Sequence, residues 1–178
     1  MPRLFVALRP PAVARRHLTS LMHGLAAARW QNDDQMHITL RFIGEVDLHG
    51  ARDLAAALAH IAAPPMTLTA TGLGIFDRRG HIDALWAGVT PREHLAALHR
   101  KIDRACISTG LAPEGRAYLP HITLARFGRY APPVDGYLAE HGGYVGPDFT
   151  VTEFGLYESI LTRAGAVYHL AERYPLDG

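Results

Sequence analysis

The sequence predicts a mixed fold of strands and helices, and three observations predict it. The chain has 178 residues, 48% of them hydrophobic, enough to bury the core of one ordinary domain without metals or disulfides. Short runs rich in branched and aromatic residues alternate with segments of helical spacing along the whole length. A tetrapeptide, His-Ile-Thr-Leu, occurs at residues 37–40 and again at 121–124, a separation of 84 residues that is nearly half the chain. Residues 1–178 are therefore read as a single domain with an internal echo.

The elements follow in order. Leu4 to Leu8 is a continuous apolar run stopped by Pro10 and Pro11, which suits a buried strand. After Pro11, good helix formers carry Val13, Leu18, Leu21, Met22 and Leu25 on one helical face. Leu54, Leu58 and Ile61 mark a second helix, ended by Pro64-Pro65, and Leu95, Leu98, Ile102 and Cys106 mark a third after Pro91. The β-like runs are residues 36–43, 66–76, 84–89, 121–127, 149–157 and 167–174. Residues 128–147 hold many glycines and prolines and are expected as a surface loop with a turn of helix at 134–141; such loops often lie over active sites.

Composition removes several classes of function. Eighteen Lys and Arg against 17 Asp and Glu leave a net charge of +1, so there is no general electrostatic reason to coat nucleic acid or an anionic membrane. The single cysteine, Cys106, allows neither an intramolecular disulfide nor a cysteine zinc cluster, and its place on an apolar helical face makes it a buried small hydrophobe. No stretch approaches a bilayer span or a signal peptide, so a cytoplasmic protein is expected. Gly72-x-Gly74 lacks the rest of a dinucleotide loop, and no phosphate loop or Gly-x-Ser-x-Gly elbow exists. His94 and His99, five apart, diverge on a helix and do not form a zincin pair.

The repeated tetrapeptide carries chemistry. On a strand, His and Thr share one face while Ile and Leu point to the core, so each copy gives a polar working face. If the two halves face each other, two imidazoles flank one site. With an ordinary pKa of about 6.5, one ring can be neutral and the other protonated near neutral pH, which paired general base and general acid require. In-line displacement at phosphorus is a natural use, with Thr39 and Thr123 donating hydrogen bonds to phosphate oxygens and no metal required. Arg41 and Arg126 are the guanidinium candidates for the phosphate. Arg41 has the strand parity of His37 and Thr39, whereas Arg126 has the opposite parity to His121 and Thr123 and needs a bulge or a strand end to reach the site. Phe42 and Phe127 are expected mainly in the core, with base stacking by Phe42 as the alternative, and Trp30 and Trp86 as packing residues.

These residues, together with Arg3-Leu4-Phe5-Val6-Ala7-Leu8, Leu40-Arg41-Phe42-Ile43-Gly44-Glu45, Leu85-Trp86-Ala87-Gly88-Val89, Pro120 through Arg126, Leu156-Tyr157-Glu158-Ser159 and Tyr174-Pro175-Leu176, resemble the 2H phosphoesterases. Within that family the likeness is to RNA 2′,3′-cyclic phosphodiesterases, formerly described as 2′-5′ RNA ligases. The resemblance implies an α+β fold of two interleaved, pseudo-symmetric lobes. Each lobe has an antiparallel sheet, outer helices and one motif, and the two motifs face each other across a central cleft. It also implies that a 2′,3′-cyclic phosphate terminus of RNA, such as a tRNA fragment or an oligonucleotide, is opened to a 2′-phosphomonoester. His37 is then the proton donor to the leaving oxygen and His121 the proton acceptor that activates water. Thr39, Thr123 and Arg126 hold the phosphate, with Arg41 as a further candidate. No cofactor, no metal, no membrane partner and a monomeric state are expected. The alternatives are a ligase that runs the same chemistry backwards to join a cyclic phosphate end to a 5′-hydroxyl, and an RNA-end binding module without turnover.

Overall fold

The computed structural model describes residues 1–178. In chain order the elements are β1 (Arg3–Leu8), α1 (Ala12–Thr19), β2 (Arg29–Trp30), β3 (Ile38–Glu45), α2 (Leu48–Leu58), β4 (Met66–Arg78), β5 (His81–Thr90), α3 (Arg92–Ser108), β6 (His121–Arg126), α4 (Asp135–His141), β7 (Val145–Val151), β8 (Glu153–Thr162) and β9 (Gly165–Pro175). The strands pair antiparallel in the order β7-β4-β5-β6-β3-β1-β8-β9, with the short β2 added to β6. The seam between β6 and β3 divides this order into two alike halves, each a motif strand, a neighbour and two outer strands.

Local sequence accounts for most of this. β1 is an interior strand paired on both edges, with β3 and β8, and Leu4 through Leu8 are all buried, as a continuous apolar run requires. In α3, Leu95, Leu98, Ile102 and Cys106 recur at 3.6-residue spacing and are all buried against the sheet. The Asp47 side chain caps α2 by accepting from the Gly50 N–H at 2.7 Å, satisfying one free donor of its first turn. Helices α2 and α3 cover the β3 half, where the Tyr174 hydroxyl of β9 donates to the Ala55 carbonyl of α2 at 3.0 Å. Helices α1 and α4 cover the β7–β4 half, where the Tyr137 hydroxyl donates to the Leu21 carbonyl. The arrangement is α+β, with the helices on one side of a long antiparallel sheet that curls at the seam. No helix is long and apolar enough to cross a membrane.

Three expectations need correction. The first helix ends at Thr19; Ala14 and Leu18 face the core while Val13 is exposed, and Leu21 packs from the turn that follows. The run 149–157 is two strands, β7 and β8, because the chain leaves regular pairing at Thr152. The expected loop 128–147 ends sooner than its composition suggests, giving way at Val145 to β7, which pairs with Thr71, while the helical turn expected at 134–141 is α4.

Candidate active site

β3 and β6 pair at Ile38 and Ile122, the second residues of the two tetrapeptides. Both isoleucines are fully buried on the helix-covered side, so the flanking His37, Thr39, His121 and Thr123 all turn to the opposite face. Antiparallel register about that bridge sets each histidine across from the other motif's threonine. Beyond the bridge the edge of β6 is taken by β2, where Arg29 pairs with Arg126 and Trp30 with Ala125. β2 therefore wedges the seam open into a cleft.

The two rings are held alike. His37 Nδ1 donates to the Gln35 carbonyl at 2.7 Å, and His121 Nδ1 donates to the Leu119 carbonyl at 2.7 Å. A carbonyl can only accept, so each neutral ring carries its proton on Nδ1 and leaves Nε2 as a lone pair. The Thr39 hydroxyl donates to His37 Nε2 at 2.9 Å. Each ring is also clasped by aromatics, His37 by Phe5 and Tyr168, His121 by Phe76 and Trp86. The Gln35 carbonyl is set by a tight turn at Asp33–Gln35, where Asn32 and Gln35 cap one another reciprocally at 3.0 Å and Gln35 Nε2 donates to the Ala166 carbonyl of β9 at 2.9 Å.

A bulge follows the threonine in each motif strand. The pairing with β1 passes from Thr39 to Arg41 and skips Leu40; the pairing with β5 passes from Thr123 to Ala125 and skips Leu124. The carbonyls freed by the extra residues are both used, Leu40 O by His99 Nδ1 at 2.6 Å and Leu124 O by the Gln31 N–H at 2.8 Å. The bulge in β6 turns Arg126 onto the cleft face, as its parity required. The same bulge in β3 turns Arg41 away from it, which corrects the reading of Arg41 as a phosphate ligand. Arg41 is buried on the α3 side, where Nη1 donates to Glu114 Oε2 at 3.0 Å, Nη2 to the Ala112 carbonyl, and Nε lies 3.2 Å from Asp103 Oδ1 as an ion pair without hydrogen-bond alignment. Phe42 takes the cleft position and is 48% exposed, so it is not a core residue, while Phe127 is buried as expected.

The cleft contains a cavity of about 510 Å³ lined by His37, Thr39, Phe42, Arg126 and Trp30, with Phe5, Tyr168, Arg3 and Arg29 completing the aromatic and cationic wall. Sequence reasoning missed the last four in this role; Tyr168 and Arg3 come from distant strands, and Arg29 from a two-residue strand that exists only through its pairing with β6. Trp86, read as packing, stacks beside His121 and fills the space beside Gly74, where a Cβ would lie 2.3 Å from its ring. The seam is braced from the other side by Tyr118, whose hydroxyl donates to the Thr39 carbonyl at 3.0 Å while its ring stacks on His99 at 4.3 Å.

The surroundings of both imidazoles disfavour their charged forms. Burial holds the His37 ring down to about 4 from its ordinary 6.5, against the supporting hydrogen bond to Gln35, and the positive charges of His121, Arg126 and Arg9 push the same way. Burial and Arg126 lower His121 as well. Two unprotonated Nε2 atoms, two hydroxyls and a guanidinium on one face can accept a proton, donate one once charged, and bind an oxyanion.

A family model described as the 2′-5′ RNA ligase superfamily matches residues 9–161. The chain is 34% identical to an RNA 2′,3′-cyclic phosphodiesterase of Aeropyrum pernix over 152 residues, covering 84% of this chain and 86% of that one. It is 26% identical to the RNA 2′,3′-cyclic phosphodiesterase of Thermotoga maritima over 182 residues, covering 99% and 96% of the two chains. Among solved structures it is similar to E. coli LigT complexed with 3′-AMP, with a TM-score of 0.81, 27% identity and 99% of each chain covered.

Proposed function

Because this chain belongs to the 2′-5′ RNA ligase superfamily, we propose that it hydrolyses the 2′,3′-cyclic phosphate at an RNA terminus to a 2′-phosphomonoester, through His37 and His121 and without a metal. The observation that carries this reading is the antiparallel bridge at Ile38 and Ile122, which gives both motifs one shared face, where carbonyl contacts at Nδ1 leave the Nε2 of each neutral ring unprotonated. The relatives named for the same reaction support the substrate class.

In the reaction, His121 Nε2 takes a proton from water as its oxygen attacks phosphorus, and the bond from phosphorus to the ribose 3′ oxygen breaks. His37, protonated in the complex, gives its Nε2 proton to that departing oxygen. The Thr39 and Thr123 hydroxyls and the Arg126 guanidinium hold the non-bridging oxygens, whose charge grows in the transition state. The assignment of donor and acceptor follows the family likeness. Each developing charge meets a proton or a guanidinium, so the scheme is complete without a Lewis acid. The incoming phosphodiester supplies the negative charge that raises the His37 pKa from its low value in the empty site.

The test is incubation with a short RNA ending in a 2′,3′-cyclic phosphate, in the presence of a chelator. Accumulation of the 2′-phosphate product is expected, and His37→Ala and His121→Ala should each lower the rate by about a thousandfold or more. An intact cyclic terminus after prolonged incubation, with the RNA still bound, would overturn hydrolysis and favour an end-binding protein.

A further inference from the structure

The cavity holds more positive charge than one cyclic phosphodiester can use. Its wall carries three guanidiniums, Arg3, Arg29 and Arg126, and no carboxylate. None of the three is in a salt bridge, although Arg9, Arg15 and Arg173 nearby all are. In a chain of net charge +1 this is a local concentration of charge and not a reflection of composition.

The geometry sharpens the point. Arg29 and Arg126 are direct partners in the antiparallel pair of β2 and β6, so their side chains leave the same face side by side. Like charges opposite one another work against the folded state unless an anion lies between them. Arg3 reaches the same wall from β1, with its guanidinium 5.2 Å from the centre of the Phe42 ring. That cation–π contact holds the charge beside the ring, at the wall of the cavity. Arg126 follows Thr123 on the cleft face and can serve the cyclic phosphate, whose single negative charge leaves two guanidiniums unmatched.

We infer that Arg3 and Arg29 form a second anion subsite, which takes the 5′-phosphate of the same terminal nucleotide. This rests on the reading of the cleft as a cyclic phosphodiesterase site and refines it. The favoured substrate is a nucleotide whose 2′,3′-cyclic phosphate sits at the two histidines while its 5′ oxygen carries another phosphate, either a terminal monoester or the diester of an upstream nucleotide. Phe42, which lines the same cavity beside Arg3, gives the flat apolar surface against which the intervening nucleoside lies. Recognition of two charges one nucleotide apart explains how a nearly neutral protein selects RNA ends without binding RNA along its length.

Binding and turnover test this together. Adenosine 2′-phosphate and adenosine 2′,5′-bisphosphate are titrated calorimetrically into the protein, and the ratio of their affinities is the readout. The bisphosphate is expected to bind about tenfold more tightly, with the ratio shrinking as salt rises. In the Arg3→Gln, Arg29→Gln double variant, whose two sites are exposed, the ratio should fall to near one. Equal affinities in the parent protein, or a ratio that survives the double substitution, would overturn the second subsite. Turnover is then compared for adenosine 2′,3′-cyclic phosphate, its 5′-phosphorylated form and the dinucleotide ApA ending in a cyclic phosphate. A gain in kcat/KM for the phosphorylated nucleotide assigns the subsite to a terminal phosphate, and a gain for the dinucleotide alone assigns it to an internal diester. Equal kcat/KM for all three overturns it. If none of the three is cleaved yet the affinity ratio holds, the subsite stands and the hydrolytic reading falls.

Discussion

Protonation of His37 should cost stability, and the amount follows from its surroundings. In the unfolded chain the ring titrates at its ordinary 6.5, while in the folded chain burial and neighbouring cations hold it to about 4. Between those values the unfolded state binds more protons than the folded one, so stability falls as pH drops through that window. Above 6.5 the ring is neutral in both states and contributes nothing to the slope. The difference of about 2.5 units corresponds to a loss of about 3 kcal/mol by pH 4, a large share of the 5–15 kcal/mol typical of a folded domain. Urea unfolding at pH 7, 6, 5 and 4 measures it directly for the parent and for His37→Gln, which cannot titrate there. The ten other histidines and the carboxylates act on both proteins, so the comparison isolates one ring. The gap between the two stability curves should shift by about 3 kcal/mol in favour of the variant from pH 7 to pH 4. Parallel curves would show that burial and the neighbouring cations do not hold this imidazole neutral.

Three further outcomes follow from the same geometry. Arg41→Met should lower stability by about 2 kcal/mol, because it strands Asp103 and Glu114 partly buried without their cation, while kcat/KM of the folded protein stays near that of the parent. A large rise in KM with unchanged stability would show instead that Arg41 reaches substrate. Arg29→Gln should raise the stability of the ligand-free protein by about 0.5 kcal/mol, since it removes a like charge set directly opposite Arg126; thermal unfolding that shows a loss would sink this. The pH profile of kcat/KM, which reports the free enzyme, should peak on the acid side of 6.5, because the proposed roles need His37 charged and His121 neutral while both are depressed. A plateau extending above pH 8 would contradict it.

The parts of this fold that sequence reveals are those whose cause is local. The apolar run of β1, the helical stripe from Leu95 to Cys106 and the two tetrapeptides all follow from periodicity, and the residues sit where period and polarity put them. The bulges are different. Leu40 and Leu124 are ordinary strand residues, and each becomes the extra residue only because its freed carbonyl finds a donor from elsewhere, His99 on α3 or Gln31 beyond β2. One unpaired residue inverts the side chains that follow it up to the next irregularity, so Arg41 and Phe42 exchange faces with nothing in the local pattern to announce it. Superposing the two tetrapeptides shows that Phe42, and not Arg41, is the counterpart of Arg126. Arg3, Arg29 and Tyr168 reach the cleft through pairings across the chain, which periodicity does not encode.

That exchange also breaks the symmetry of the repeat in a way that bears on mechanism. One motif strand delivers an aromatic ring to the cleft and the other a guanidinium, so the two alike imidazoles face unlike surroundings. Arg126 adds its charge to the burial that lowers the pKa of both rings. An anion settling against the guanidiniums cancels the charge they exert and adds its own beside His37, favouring the imidazolium. In the proposed mechanism the acid is then created by the ligand it acts on, and binding should take up a proton. Calorimetric titration of adenosine 2′-phosphate at pH 6.5, repeated in two buffers of different ionisation enthalpy, gives the number of protons taken up. A value approaching one is expected for the parent, and close to zero for His37→Gln. Uptake of zero in the parent would mean that the ligand leaves His37 neutral, and the proton for the departing oxygen would have to come from another group.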